Sequence, residues 1–485
     1  MKRLPYLVSI LMVLLLSLPA CNEKEVVTPS SVDTFLADII GIDEEEQILL
    51  HNGEDIDLTI SSLSLDDDEI VFNNNTSTQM QLGEAYETEW RNNTYRFFRT
   101  ELPILKIQTQ TPAALSEVYE SAKFALVENG QITLNGNLGI KLRGNTSLFF
   151  PKKSYRLELW EDSEGAMNRD ASVLCMRSDD DWLLDGMWNE PLSIRDKSAM
   201  KMWLAYGRVQ DPDEADIVLG AAREYCELFI NGSYKGLYYL GERLDRKQLK
   251  LETCTSPSDG GELYKAKAWD QAVIAFSLPE YDNSSLFWSG YEVKYPQEAG
   301  KYDWQKLSDF ITFFKGDLPD NFEGTYPQKV DIDNIIDYFI QINILGAFDN
   351  AGNNVYIARK NQSSPYYFVS WDYDATVGLG IDGATLPVEY NFMQHVVTRR
   401  LFFSATFRDQ LKVRWRNLRS DLLSNENILS YYRANHAILL RNKVYEREES
   451  VTRLEKSSPG VSAMIFLETT LNERLQYLDE AIENL

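Results

Sequence analysis

The chain has 485 residues, 44% of them hydrophobic and 12% aromatic, enough for two or three packed modules rather than one. With 74 acidic against 48 basic side chains the net charge is −26, which argues against a phosphate-binding nucleic-acid surface and against adhesion to anionic lipid headgroups. The three histidines, His51, His395 and His436, stand near no suitable Ser or Cys, and no His-x-x-x-His or Cys-x-x-Cys pair occurs, so triad catalysis and zinc binding have no support.

Lys2 and Arg3 precede the apolar run YLVSILMVLLLSL, and LPAC ends at Cys21, the order of an export signal over residues 1–20. The run is short for a membrane span. LSLPAC resembles a bacterial lipobox, with Pro19 as a departure, so Cys21 is expected to carry the lipid anchor; a plain secretory signal is the alternative. The expectation is an exported lipoprotein of the outer membrane or cell surface, or of the periplasm, touching membrane only through that anchor. Residues 21–48 are polar and acidic and read as a tether. Short alternating runs such as IDLTISSLSL suggest a small β segment over 49–100.

From residue 101 the texture changes to longer strands mixed with helices. ITLNGNLGIKLRGNTSLFFPKKSYRLELW reads as two strands around a polar loop, and LSIRDKSAMKMWLAYG as a helix. Asn231-Gly232 between alternating apolar runs predicts a hairpin. DIDNIIDYFIQINILGAFDN puts Ile335, Tyr338, Phe339, Ile342 and Leu345 on one helical face, with Asp331 or Asp333 as cap. Residues 391–485 read as a helical C-terminal extension. Strands first and helices later predict an α+β protein.

The chemistry concentrates after that helix. Asp349 and Asn354 form Asp-x-x-x-x-Asn; a predicted hairpin, VYIAR and YYFVS, then delivers Asp372, Asp374 and Gly378. This order matches a protein-kinase catalytic loop, where one Asp accepts the proton of the substrate hydroxyl while an Asn and a later Asp hold the Mg²⁺ that bridges nucleotide phosphates. A hairpin centred on Ser363 would set Asn354 opposite Asp372 and Gly352 opposite Asp374. Asp372 would then share a cation with Asn354, and Asp374 would at most orient it. An Asx-rich loop that only caps helix and strand would carry the same letters. Gly378, Gly380 and Gly383 spell Gly-x-Gly-x-x-Gly, but no helix is predicted after them, so a dinucleotide fingerprint is discounted.

LRGNTSLFFPKKSYRLEL, LFINGSYKGLYYLGERLD and FVSWDYDATVGLG resemble, in order, the motifs of the spore-coat-protein-H (CotH) kinase family, over about residues 101 to 420. The resemblance implies a kinase-like domain over 101–390 with an atypical, bilobal protein-kinase-like fold: a mixed β-sheet part, then a mainly helical part. It implies transfer of phosphate from ATP, with Mg²⁺ or Mn²⁺, to a Ser, Thr or other hydroxyl of a protein or another acceptor outside the cytoplasm. By it Asp349 would be the catalytic Asp and Asp372 the metal-binding Asp. Lys153, with Lys152 as its rival, would neutralise nucleotide phosphates; Arg143, Asn145 and Thr146 would line a phosphate; Glu242 would orient the lysine. The competing expectation is a non-catalytic kinase-like surface lipoprotein for adhesion or for glycan or protein binding. The intact Asp349, Asn354 and Asp372 set favours the enzyme, whereas the scarcity of ATP outside the cytoplasm favours the competitor.

Overall fold

The computed structural model describes residues 38–54, 62–65, 68–72, 79–110, 114–210, 217–275, 277–451 and 460–485. The export segment, Cys21 and the first part of the tether lie outside the described residues. Folded structure begins before residue 48, where the tether was expected to end. Ile40–Asp43 is a strand paired antiparallel with Ile48–His51, because apolar Ile40 and Ile42 alternate with Gly41 and the Asp43 carboxylate accepts the N–H groups of Glu45 and Glu46 in the turn. These two strands open a six-stranded sheet that continues through Asn93–Arg99, Ala85–Trp90, Asp68–Phe72 and Ser62–Leu65.

Seven strands then close into a barrel, in the order Ser154–Trp160, Asp181–Asp185, Ser233–Glu242, Arg223–Ile230, Ile104–Thr109, Glu120–Glu128 and Gln131–Arg143. The two strands expected around the polar loop are there: Gln131–Arg143 pairs with Ser154–Trp160, starting at Arg143 opposite Ser154. Asn231 and Gly232, both with positive φ, turn Arg223–Ile230 into Ser233–Glu242. Closure depends on one parallel pair, Ile104–Thr109 with Arg223–Ile230. Leu126, Leu138, Leu157, Leu184, Leu228 and Leu240 fill the interior.

A five-stranded sheet follows, ordered Phe287–Trp288, Tyr291–Tyr295, Glu262–Ala266, Val355–Arg359 and Tyr367–Ser370. The helix Ile332–Ile344 lies on it, capped by the Asp331 side chain. The Asn334 side chain bonds both the N–H and the C=O of Phe368, pinning helix to strand. The C-terminal helices, among them Ala405–Arg419, Asn425–Arg441 and Val461–Glu483, pack on the same core, which is continuous from Leu102 to Ile482. The α+β class holds. The functional residues gather where the barrel meets the five-stranded sheet.

Candidate functional site

The helix Ile332–Ile344 stops abruptly. Gly346 takes a left-handed φ of 56°, Ala347 N–H donates to Ile342 C=O at 2.8 Å and Gly346 N–H to Asn343 C=O at 3.3 Å, a Schellman cap that turns the chain into Asp349–Ala351. The Asp349 carboxylate, half-buried, accepts from Asn353 Nδ2 at 3.1 Å and from Asn354 Nδ2 at 2.8 Å. The same Asn354 amide donates to Asp372 Oδ2 at 3.3 Å, so one buried amide stands between two carboxylates. Asn350 fixes the two segments to each other, donating to Trp371 C=O at 2.6 Å and more weakly to Asp372 C=O at 3.3 Å.

The meeting of Asn354 and Asp372 comes about otherwise than the strand count predicts. The hairpin pairs Val355 with Ser370 and Tyr356 with Val369, one residue off a turn centred on Ser363, so continued pairing would set Asn354 against Trp371. Regular pairing ends at Ser370. Asp372 then adopts φ 62°, a left-handed conformation that swings its side chain back toward Asn354. The register expectation is therefore corrected, while the proximity it predicted is present for a different reason. Asp374 is off the ladder as well: its carboxylate accepts from Asn189 Nδ2 at 2.6 Å and from Ala375 N–H at 2.7 Å.

Crowded acids raise one another's pKa. Burial pushes Asp349 above the ordinary carboxylate value, and Asp372 adds to that against the Asn353 hydrogen bond. Burial and then Asp372 push Asp374 well above it. Behind them Asp196 is pushed up to about 6 by burial, tempered by its ion pair with Arg223 and raised again by Asp372.

Asp349, Asp372 and Asp374, with Asn354, line a cavity of about 290 Å³. Arg143, Asn145 and Thr146 line it from the loop after Gln131–Arg143, and Lys265, Lys267 and Lys294 from the five-stranded sheet. Lys267 and Lys294 both pair with Glu292, at 3.1 and 2.6 Å. Burial holds Lys265 down to about 8; Asp372 pulls it up, and Lys294 and Arg143 oppose that. The three lysines went unnoticed in the sequence. Their signal was the alternation Lys265-x-Lys267 and Glu292-x-Lys294 on neighbouring strands, with Lys265 opposite Glu292 in the ladder.

Lys152, Lys153 and Glu242 are not brought together. Lys152 is buried, its stem touching the cavity, and its ammonium donates to Leu237 C=O at 2.6 Å and pairs with Glu448 over the ring of Tyr238. Lys153 donates to Leu148 C=O at 2.7 Å. Glu242 accepts from the N–H groups of Arg177 and Ala222 and from Gln248, away from the cavity. The carboxylate that holds a lysine is thus Glu448, on the helix Val444–Val451, with a partner 296 residues away in the chain.

The donor set suits a hard divalent cation. Asp372 and Asp374 offer carboxylate oxygens and Asn354 its Oδ1, while the Asn354 Nδ2 donates to the mutually repelling Asp349 and Asp372. A family model described as CotH kinase protein matches residues 140–484, which span the cavity lining and Glu448. The chain is also similar to the inner spore coat protein H of Bacillus subtilis (strain 168), 22% identical over 278 residues, covering 57% of this chain and 69% of that one.

Proposed function

Because the chain belongs to the CotH kinase family, we propose that it transfers the γ-phosphoryl group of ATP to a hydroxyl, of Ser or Thr in the first instance, inside the cavity between barrel and sheet. The observation that carries this reading is the mixed charge of the cavity lining: Asp349, Asn354 and Asp372 together with Lys265, Lys267, Lys294 and Arg143. The cationic residues suit a triphosphate, and the acidic ones suit a cation and a proton acceptor. On this reading barrel and sheet-plus-helix regions serve as the two lobes of an atypical kinase.

Asp349 takes the proton of the acceptor hydroxyl. The acceptor oxygen forms a bond to γ-phosphorus as the bond to the β,γ-bridging oxygen breaks, and ADP leaves with that electron pair. Asn353 and Asn354 orient Asp349 through their amides. Lys265 and its neighbours offset charge on the phosphate oxygens. Asp372 and Asn354, steadied by Asp374, would hold Mg²⁺ or Mn²⁺; bound there, the cation would neutralise developing phosphate charge.

The test is incubation of the chain with γ-labelled ATP and Mg²⁺ or Mn²⁺, following label onto protein hydroxyls. Cation-dependent labelling supports the reading; no label with either cation, on the chain itself or on Ser/Thr peptides, contradicts it. Export and anchoring through Cys21 form a separate proposal, which rests on the order of basic, apolar and LPAC segments. Cys21→Ser should release a soluble exported protein, and a wild type already soluble without detergent would contradict the anchor.

A further inference from the structure

A second cavity, of about 500 Å³, lies directly behind the acidic lining. The two cavities share their partition: Phe348 and Ala375 line the second, while their chain neighbours Asp349 and Asp374 line the first. The second is largely apolar, with Leu345, Val377, Leu379 and Phe392 among its lining residues, although Glu389, Arg399 and Arg474 also line it. At its edge Trp269 and Phe348 stack with ring centroids 4.8 Å apart, and Trp269 Nε1 donates to Phe348 C=O. That bond locks an aromatic ring next to the residue proposed as base.

The surface around this partition is unusually apolar for an acidic chain. Phe348 is 51% exposed and Leu386 46%, both lining the second cavity, while Ile381, 56% exposed, lines the first. Large exposed side chains gathered on one rim mark a contact surface, whereas scattered ones do not. The run from Leu386 to Asn391 is irregular and largely exposed. Among the described residues, the backbone N–H groups of Val388, Glu389, Tyr390 and Asn391 donate to nothing in the chain. In an extended run only alternate N–H groups share a side, so an extended segment of another polypeptide could accept from two of them, gaining affinity from main-chain bonds and specificity from a side chain lodged in the cavity. A lipid tail would use the apolar walls but has no use for a row of backbone donors.

Resting on the kinase reading above, we infer that the acceptor is an extended polypeptide whose phosphorylated Ser or Thr stands beside a large apolar or aromatic side chain. That side chain enters the cavity behind Phe348, and the adjacent backbone lies along residues 386–391. The arrangement places the hydroxyl at Asp349 while the neighbouring side chain reads the sequence. It also separates the two substrates, nucleotide in the polar cavity and acceptor anchor in the apolar one.

Two dye-labelled peptides test this, alike except that a single Ser is flanked by Phe and Leu in one and by Gly in the other. Anisotropy with the full chain, without nucleotide, should show the Phe/Leu peptide binding at least ~10-fold tighter, the worth of a filled hydrophobic subsite. Leu386→Glu, in the exposed segment proposed to bind the peptide and away from the polar cavity, should bring the two peptides to near-equal affinity and leave ATP binding unchanged. Leu386→Met should keep the preference. Equal affinities in wild type, or an unaltered preference in Leu386→Glu, would overturn the inference. So would Leu386-dependent binding of phosphatidylethanolamine–phosphatidylglycerol vesicles with no peptide preference, which would make the cavity a lipid site. If the peptide preference appears but no label passes from ATP to either peptide, the groove assignment stands and the phosphotransferase reading fails.

Discussion

The acidic and basic linings of the polar cavity are built in opposite ways. The acidic lining comes from one short stretch: Asp349, Asn354, Asp372 and Asp374 follow each other across a single hairpin, and the Asn354 amide ties Asp349 to Asp372. The basic lining is assembled from afar. Arg143 comes from the barrel, Lys265 and Lys294 from neighbouring strands of the sheet, and Lys152 is held by Glu448 near the C-terminus. A locally built lining can change charge without disturbing the fold, whereas a lining assembled from distant elements is part of what joins those elements.

The largest effect expected from this contrast is on stability. Glu448 is buried against Lys152 and also accepts the Leu237 N–H at 2.9 Å. Glu448→Ala leaves a buried ammonium without its counter-charge, a loss of about 3–5 kcal/mol. Thermal unfolding should register it as a marked drop in melting temperature with or without nucleotide. An unchanged melting temperature would mean that the helix Val444–Val451 does not brace the barrel.

On the acidic side the expectation is reversed. Asp372→Asn keeps a residue type that tolerates the left-handed φ and relieves repulsion with Asp349 and Asp374, so the unliganded protein should unfold no earlier than wild type. ATP with Mg²⁺ at ~100 times its dissociation constant should stabilise wild type by about 2.7 kcal/mol, and Asp372→Asn should lose that gain. Asp374→Asn should keep part of it, since Asp374 is engaged by Asn189 and Ala375. The opposite ranking would give the cation to Asp374.

A smaller effect tests the basic lining. Lys265→Met should weaken nucleotide binding about 10-fold, or about 1.4 kcal/mol, with little change in the melting temperature of the unliganded protein, because the ammonium emerges at the cavity rather than in the core. Isothermal titration would show it. Unaltered affinity would leave Lys267, Lys294 and Arg143 as the phosphate-facing charges.

The same contrast explains what could be read from the sequence. Asn231-Gly232, the capped helix Ile332–Ile344 and the Asp349–Asn354–Asp372 order are local signals, and each element stands where the residues indicated. The hairpin register differs by one residue because the turn, closed by Ser364 N–H on Asn361 C=O, centres between Gln362 and Ser363; the left-handed Asp372 that then restores the meeting with Asn354 is a backbone choice that alternation does not encode. Barrel closure rests on pairing Ile104–Thr109 with Arg223–Ile230, and the carboxylate partner of Lys152 lies on the helix Val444–Val451. Such contacts are set by tertiary packing, and no short motif announces them. Of the adjacent Lys152 and Lys153, only Lys152 lines the polar cavity and its ammonium is committed to Glu448; the other lining lysines are the alternating ones on the sheet.

The claim that Asp349 is the proton acceptor of a phosphoryl transfer is tested most directly by measuring turnover and nucleotide affinity side by side for Asp349→Asn. Turnover should fall by ~10²–10⁴-fold, the usual worth of a positioned general base, while the nucleotide dissociation constant stays within a factor of about two. A loss of nucleotide affinity equal to the loss of turnover would make Asp349 a ligand or a structural residue, and undiminished turnover would remove it from the reaction altogether.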